Sequence, residues 1–182
     1  KNPLVIQYRV NSGFVPSDHW VHSEGEGRSR IVGEMTHFID LLHNITGSSI
    51  SRVHAERIGG DNQSAVNNDN IAVTLKFEEG SVANLTYAAS GDKAYSREKI
   101  EIFFEGNTLV TDDFRISKKH FGGKAETFKT HGQEMGYREE LKHFISLFKG
   151  EESKTVTLNE AFQTMRAVFA IETSLSTGKA IR

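Results

Sequence analysis

The chain of 182 residues contains no cysteine, two prolines and one tryptophan. Without cysteine there is no disulfide, no thiol nucleophile and no thiolate metal ligand. That absence fits the reducing cytoplasm, where we expect the protein to work. Neither sign of charge is in excess: 22 Lys and Arg face 24 Asp and Glu, for a net charge of −2. No basic excess points to nucleic acid, and no acidic tail is present. No apolar run approaches the ~20 residues of a membrane-spanning helix. The first residue is a lysine, in a chain that begins directly with a strand-like run. We therefore expect residues 1–182 to be one domain from which an N-terminal part has been removed.

What is present is periodicity. Leu4 to Val10 alternates as a strand does, and a long loop from Asn11 to Arg30 follows it. A helix is expected from Arg30 to about Ile45, with Gly47 at the left-handed position that ends helices. Ile50 to Ile58 reads as a strand, and Gly59 to Asn68 as a polar loop. Ile71–Phe77 and Ser81–Ala88, joined by Glu79-Gly80, form a hairpin pattern. Strands are expected around Ile100–Phe104, at Leu109-Val110 and over Phe114–His120. Two helices close the chain, Glu134–Phe148 and Leu158–Thr177, the second behind the capping-box sequence Thr157-Leu158-Asn159-Glu160. Hairpins followed by helices predict an α+β fold: a large, mostly antiparallel sheet with helices packed on one face.

The residues with chemical content gather early. In Arg30-Ile31-Val32-Gly33-Glu34-Met35-Thr36-His37-Phe38-Ile39-Asp40-Leu41-Leu42, Glu34, His37 and Asp40 stand three apart on one helical stripe. An imidazole between two carboxylates suits proton transfer, so His37, Asp40 and Glu34 are the catalytic candidates. The competing description of His37 is a helix histidine bonded to a nearby carbonyl. Glu34-x-x-His37 also has di-iron ligand spacing, but such a site needs two such pairs and further Glu ligands on other helices, and no metal is expected. Arg9, Asn11, His19, Trp20 and Arg30 form a polar and aromatic group suited to a substrate wall: arginine for phosphate or carboxylate, asparagine for hydroxyls, tryptophan for a sugar face. Lys93, Tyr95 and Arg97 make a second polar loop, and Lys93 joins the substrate-binding candidates. Gly25-Glu26-Gly27 lacks the third glycine and the preceding strand of a dinucleotide fingerprint, so no cofactor-binding residues are expected in this chain.

Together Tyr8-Arg9-Val10-Asn11-Ser12-Gly13, Asp18-His19-Trp20, the segment Arg30–Leu42, Phe77-Glu78-Glu79-Gly80-Ser81-Val82 and Ser90-Gly91-Asp92-Lys93 resemble the C-terminal domain of the glucose–fructose oxidoreductase and inositol dehydrogenase (Gfo/Idh/MocA) family. The resemblance runs from about Tyr8 to Gly178. It implies an open sheet that binds substrate and forms homo-oligomers through its free face. It implies an N-terminal Rossmann domain, absent here, that binds NAD or NADP and without which the fragment is inactive. It also maps the family's catalytic histidine onto His37 and the following aspartate onto Asp40, in hydride transfer between a sugar-type hydroxyl and a nicotinamide. Where the wider family often carries an aspartate four residues before that histidine, this chain has Gly33. The alternative is a carbohydrate-binding or oligomerisation module without catalysis.

Overall fold

The structure, a computed structural model, describes residues 2–60, 65–151 and 156–182. Residues 61–64, within the polar loop expected at Gly59–Asn68, lie outside the described residues. The strands are β1 (Val5–Asn11), β2 (Ile50–Arg57), β3 (Asn70–Phe77), β4 (Val82–Ala88), β5 (Glu98–Phe104), β6 (Asn107–Asp112), β7 (Ile116–Phe121) and β8 (Lys124–Lys129). The helices are α1 (Arg30–Thr46), α2 (Tyr137–Phe148) and α3 (Leu158–Thr177). All eight strands join one sheet in the order β2-β3-β4-β1-β5-β6-β7-β8. Every neighbouring pair is antiparallel except β1 and β4, which run parallel from Val5↔Val82 to Asn11↔Ala88. The α+β fold with a mostly antiparallel sheet is the one expected from sequence.

Alternation explains the core. Ile6, Tyr8 and Val10 of β1 are buried, as are Ile71, Val73, Leu75 and Phe77 of β3 and Ala83, Leu85 and Tyr87 of β4. They meet Ile31, Met35, Phe38, Ile39 and Leu42 of α1 and Val168 and Ile171 of α3 in one cluster. Burying one face of the sheet under two helices leaves the other face open, where Val5, Gln7, Ala72 and Thr74 are exposed. The caps match their sequence signals. Ser29 accepts the Val32 N–H, and Gly47 (φ 64°) ends α1. Thr157 and Glu160 bond each other's backbone at the start of α3.

Three features depart from the sequence reading. A hairpin through Gly122 and Gly123, both at positive φ, adds β8, whose residues are all exposed. The last predicted strand starts at Ile116, because Asp113 and Phe114 at φ 50° and 52° make the preceding turn. Helix α2 starts at Tyr137, after Gly136 at φ 77°, while the Glu134 N–H is spent on the Phe114 carbonyl. None of the residues of α2 is buried, and its stripe of Leu141, Phe144, Ile145 and Phe148 faces solvent, so among the described residues α1 and α3 are the helices that cover the sheet. The accessible surface is 11540 Å², against about 8,800 Å² for a compact monomer of this mass. Among the described residues no helix is long and apolar enough to cross a membrane.

This topology decides where chemistry can gather. The C-terminal ends of β1 and β4, the start of β5 and the N-terminus of α1 share one edge of the sheet. Arg9, Asn11, Arg30 and Glu34 reach that end of the sheet from positions that are far apart in the chain.

Candidate active site at the carboxyl edge of the sheet

Arg30, the first residue of α1, is 3% exposed. Its Nε donates to Glu34 Oε1 at 2.8 Å, and its Nη1 to the Gly13 carbonyl at 2.8 Å, 3.5 Å from Asp69 Oδ2. The Tyr87 hydroxyl donates to Glu34 Oε2 at 2.8 Å, and the Arg30 guanidinium lies over the Tyr87 ring. His22 Nε2 stands 3.6 Å from the same Asp69 oxygen. One network thus ties the start of α1 to the loop after β1, to β4 and to the turn before β3. Burial raises the Glu34 carboxyl, but the bonds from Arg30 and Tyr87 outweigh it and hold Glu34 below the usual carboxylate range. Burial also raises Asp69, and Arg30 and His22 offset only part of that, so Asp69 stays above its ordinary value. The Tyr87 hydroxyl is pushed up by burial and remains a donor.

Glu34 therefore faces Arg30 and Tyr87 and makes no bond to His37. The reason is charge: a guanidinium one turn away is always ionised and offers a planar fork that matches a carboxylate. Asp40 lies on the other side, in a cleft of about 370 Å³ with His43, Asn44, Glu160 and Gln163, where its charge acts on His43. Among the described residues neither of the two carboxylates expected beside His37 bonds to it. His37 itself is exposed, with no side-chain hydrogen bond or ion pair among the described residues. One turn before it, a Cβ on Gly33 would meet nothing within 4 Å. The imidazole and the gap at Gly33 make an open strip along α1.

The substrate-wall candidates divide. Arg9 points to the open face and spends its nitrogens on the Ser96 carbonyl and hydroxyl (2.6 and 2.8 Å), stacked on Tyr95. Asn11 is 8% exposed and donates to the Asp92 and Tyr95 carbonyls, pinning the loop from Gly91 to Arg97 over the end of β1. The aliphatic part of Lys93 lies against Gly13, and Lys93 is exposed. His19 and Trp20 are exposed in the loop before α1, where His19 Nδ1 accepts the Val21 N–H. Arg30 is buried within its ion pairs. The structure brings Arg9, Asn11 and Lys93 to one loop, and Arg30 and Glu34 to the network below it.

Gly91 explains how tightly that loop is held. A Cβ there would fall 2.1 Å from Asn11 Oδ1 and 2.9 Å from Asn11 Cγ. Because Asn11 is fixed by two carbonyls, the clash must displace the loop. Gly91→Ala should cost about 1–3 kcal/mol, read as a lowered midpoint in denaturant melts at unchanged slope.

Sequence reasoning missed Tyr87, Asp69, Tyr8 and Glu98 as members of the site. The Tyr8 hydroxyl bonds Glu98, which is 5% exposed, and the Tyr8 ring packs edge-on against Phe38 with centroids 5.5 Å apart. Alternation marked the tyrosines as core, but nothing local shows which carboxylate each hydroxyl meets. Among the described residues no three of His, Cys, Asp or Glu are disposed to hold a metal ion.

Comparison with known proteins follows the same outline. Residues 2–110 match the family model described as the GFO/IDH/MocA C-terminal domain. No curated protein matches. Among solved structures, the aldose–aldose oxidoreductase from Caulobacter crescentus, complexed with glycerol, superposes with a TM-score of 0.79 at 15% identity, over 99% of this chain and 56% of that one. The UDP-N-acetylglucosamine 3-dehydrogenase from Acidithiobacillus ferrooxidans gives 0.72 at 16% identity, over 95% and 54%. An oxidoreductase from Agrobacterium radiobacter, in complex with NAD+, L-tartaric acid and magnesium, gives 0.72 at 14%, over 99% and 56%. The chain thus spans a little over half the length of these structures, and at such identities the likeness is one of fold.

Proposed function

Because the chain belongs to the GFO/IDH/MocA C-terminal domain family, we propose that it is the substrate-binding and proton-transferring half of an oxidoreductase. Its substrate is a hydroxyl of a sugar or sugar derivative. NAD or NADP is held mainly by a Rossmann domain outside these residues, and the 182 residues alone turn nothing over. The observation that carries this reading is the imidazole of His37, exposed and without a partner among the described residues, on the strip of α1 left open by Gly33.

The fit to a nicotinamide cofactor is partial in an informative way. The link from β1 to α1 is a long loop without the glycine pattern that cradles a pyrophosphate, so the nucleotide end has no seat here. The open strip suits the reacting end. A bound nicotinamide supplies the hydride acceptor, and everything else falls to this chain's residues. His37 takes the proton of the substrate hydroxyl. Glu34 acts through Arg30 and Tyr87 as a positioning residue, fixing the first turns of α1 against β4. Asn11 and Arg9 hold the loop that walls the site, with Lys93, His19 and Trp20 at its rim. Asp40 lies on the His43 side, where its charge acts on that imidazole.

The partners follow from surface. The exposed stripe of α2, with Leu158 and Phe162 of α3, suits docking of the cofactor domain, and the open sheet face suits a second copy. A module without catalysis would serve as well with His37 sealed in the core, and that ring is exposed. The test is isotope transfer. The intact enzyme, given a panel of carbon-deuterated sugars and NAD or NADP, should deliver deuterium to the nicotinamide ring, read by NMR. No deuterium on the ring with any sugar in the panel rejects the redox reading.

A further inference from the structure

The edge that carries His37 also carries a cation that this mechanism leaves unused. Arg97 stands immediately before β5, and its carbonyl accepts the Asn11 N–H at 2.6 Å. Its Nε lies 3.7 Å from Glu98 Oε1. Glu98 is buried, and its other oxygen accepts the Tyr8 hydroxyl, whose ring packs on Phe38, the residue after His37. The charge of Arg97 also reaches Glu34, one turn before His37. The guanidinium is therefore held on one side, through Nε, by a buried carboxylate tied to the tyrosine that packs on Phe38.

Its outer half is free. The Arg97 side chain is 56% exposed, and neither Nη has a partner among the described residues. The two neighbouring arginines are spent. Arg9 is bonded to Ser96 and stacked on Tyr95, and Arg30 is divided between Glu34, Asp69 and Gly13. A guanidinium that served only to neutralise Glu98 would turn both prongs of its fork onto that carboxylate. Arg97 instead offers one nitrogen at long range and keeps the fork outward. The planar pair of Nη groups matches the two oxygens of a carboxylate or phosphate.

We propose that Arg97 is the specificity-determining residue of this site: its Nη fork binds a carboxylate or phosphate group carried by the sugar, so acidic sugars are preferred to neutral ones. The inference rests on the sugar-oxidoreductase reading for the location of the substrate, but its test does not need turnover. Binding of glucose, glucuronate and glucose 6-phosphate to the intact enzyme is measured by calorimetry, for the wild type and for Arg97→Gln and Arg97→Lys. The wild type should bind one of the two anions at least tenfold more tightly than glucose. Arg97→Gln should weaken that anion by about 10²-fold and leave glucose within threefold, and Arg97→Lys, with charge but no fork, should fall between. Glucuronate separates a carboxylate site from a phosphate site. Equal losses for glucose and the anion, or no preference for an anion in the wild type, overturn the proposal. Arg97-dependent binding without any deuterium transfer would sink the redox reading and keep this one. Deuterium transfer that ignores both anion charge and Arg97 would do the reverse.

Discussion

Replacing Arg30 by methionine should destabilise the fold by about 3–5 kcal/mol, the cost of leaving buried charges without their partner. Methionine keeps most of the volume and all of the helix propensity, so the loss isolates the charge. Two carboxylates are stranded at once. Asp69 has a side chain only 2% exposed and keeps only His22. Glu34, 29% exposed, keeps the Tyr87 hydroxyl and the more distant charge of Arg97. The Gly13 carbonyl also loses the donor that fixes the loop after β1. Urea melts of the wild type and Arg30→Met measure the difference, and a loss under 1 kcal/mol would mean that water reaches the network and screens it.

The pH dependence separates this account from lost packing. In the wild type Glu34 is held below its ordinary value, so its contribution is present above the unfolded-state pKa and is lost as pH falls through the folded one. Asp69 is raised, so its ionisation works against the fold. Its share is full below the unfolded-state pKa and is lost as pH rises through the folded one. The two oppose each other. Without Arg30, burial dominates at both sites and both carboxyls prefer to be protonated. The variant should gain stability as pH falls from neutrality into the carboxylate range, and the gap to the wild type should narrow there. A gap that stays constant would assign the loss to packing.

How much of this was readable beforehand depends on how far apart the partners lie. Helix α1, the β3–β4 hairpin and the capping box of α3 follow from spacing within a few residues, and they are found where the sequence put them. Strand β8 was missed because Lys124–Lys129 buries nothing and so has no apolar alternation, although Gly122-Gly123 was a usable turn signal. The apolar stripe of α2 does not reveal its exposure, since period alone cannot tell a buried face from an open one. In the site, Arg30 and Glu34 at i and i+4 are a visible pair. The Glu34 carboxylate was nevertheless given to His37, because the competing partners arrive from elsewhere. Tyr87 lies 53 residues from Glu34, and Asp69 lies 39 from Arg30. The pairing of β4 with both β1 and β3 brings them to the same end of the sheet.

His37→Ala in the intact enzyme should lower turnover by about 10²–10⁴-fold, which is about 3–5 kcal/mol of barrier at 1.36 kcal/mol per decade. The ring is exposed and unbonded, so its removal should change folding stability by no more than about 0.5 kcal/mol. That contrast is what makes the substitution decisive: a large loss of rate without a loss of fold has no structural explanation. The losses in kcat and kcat/KM should be similar, since the proton is taken in the transition state and not on binding. The limb of the pH–rate profile that reports the base should vanish with the side chain. Glu34→Gln and Asp40→Asn should behave differently, because Glu34 answers to Arg30 and Tyr87 and Asp40 faces His43. Each should keep the pH limb, and Glu34→Gln should lose stability along with rate. If His37→Ala retains full turnover, the proton leaves by another route and the exposed imidazole has no part in the chemistry. If Asp40→Asn or Glu34→Gln erases the limb instead, the base is a carboxylate that swings toward the substrate in the intact enzyme.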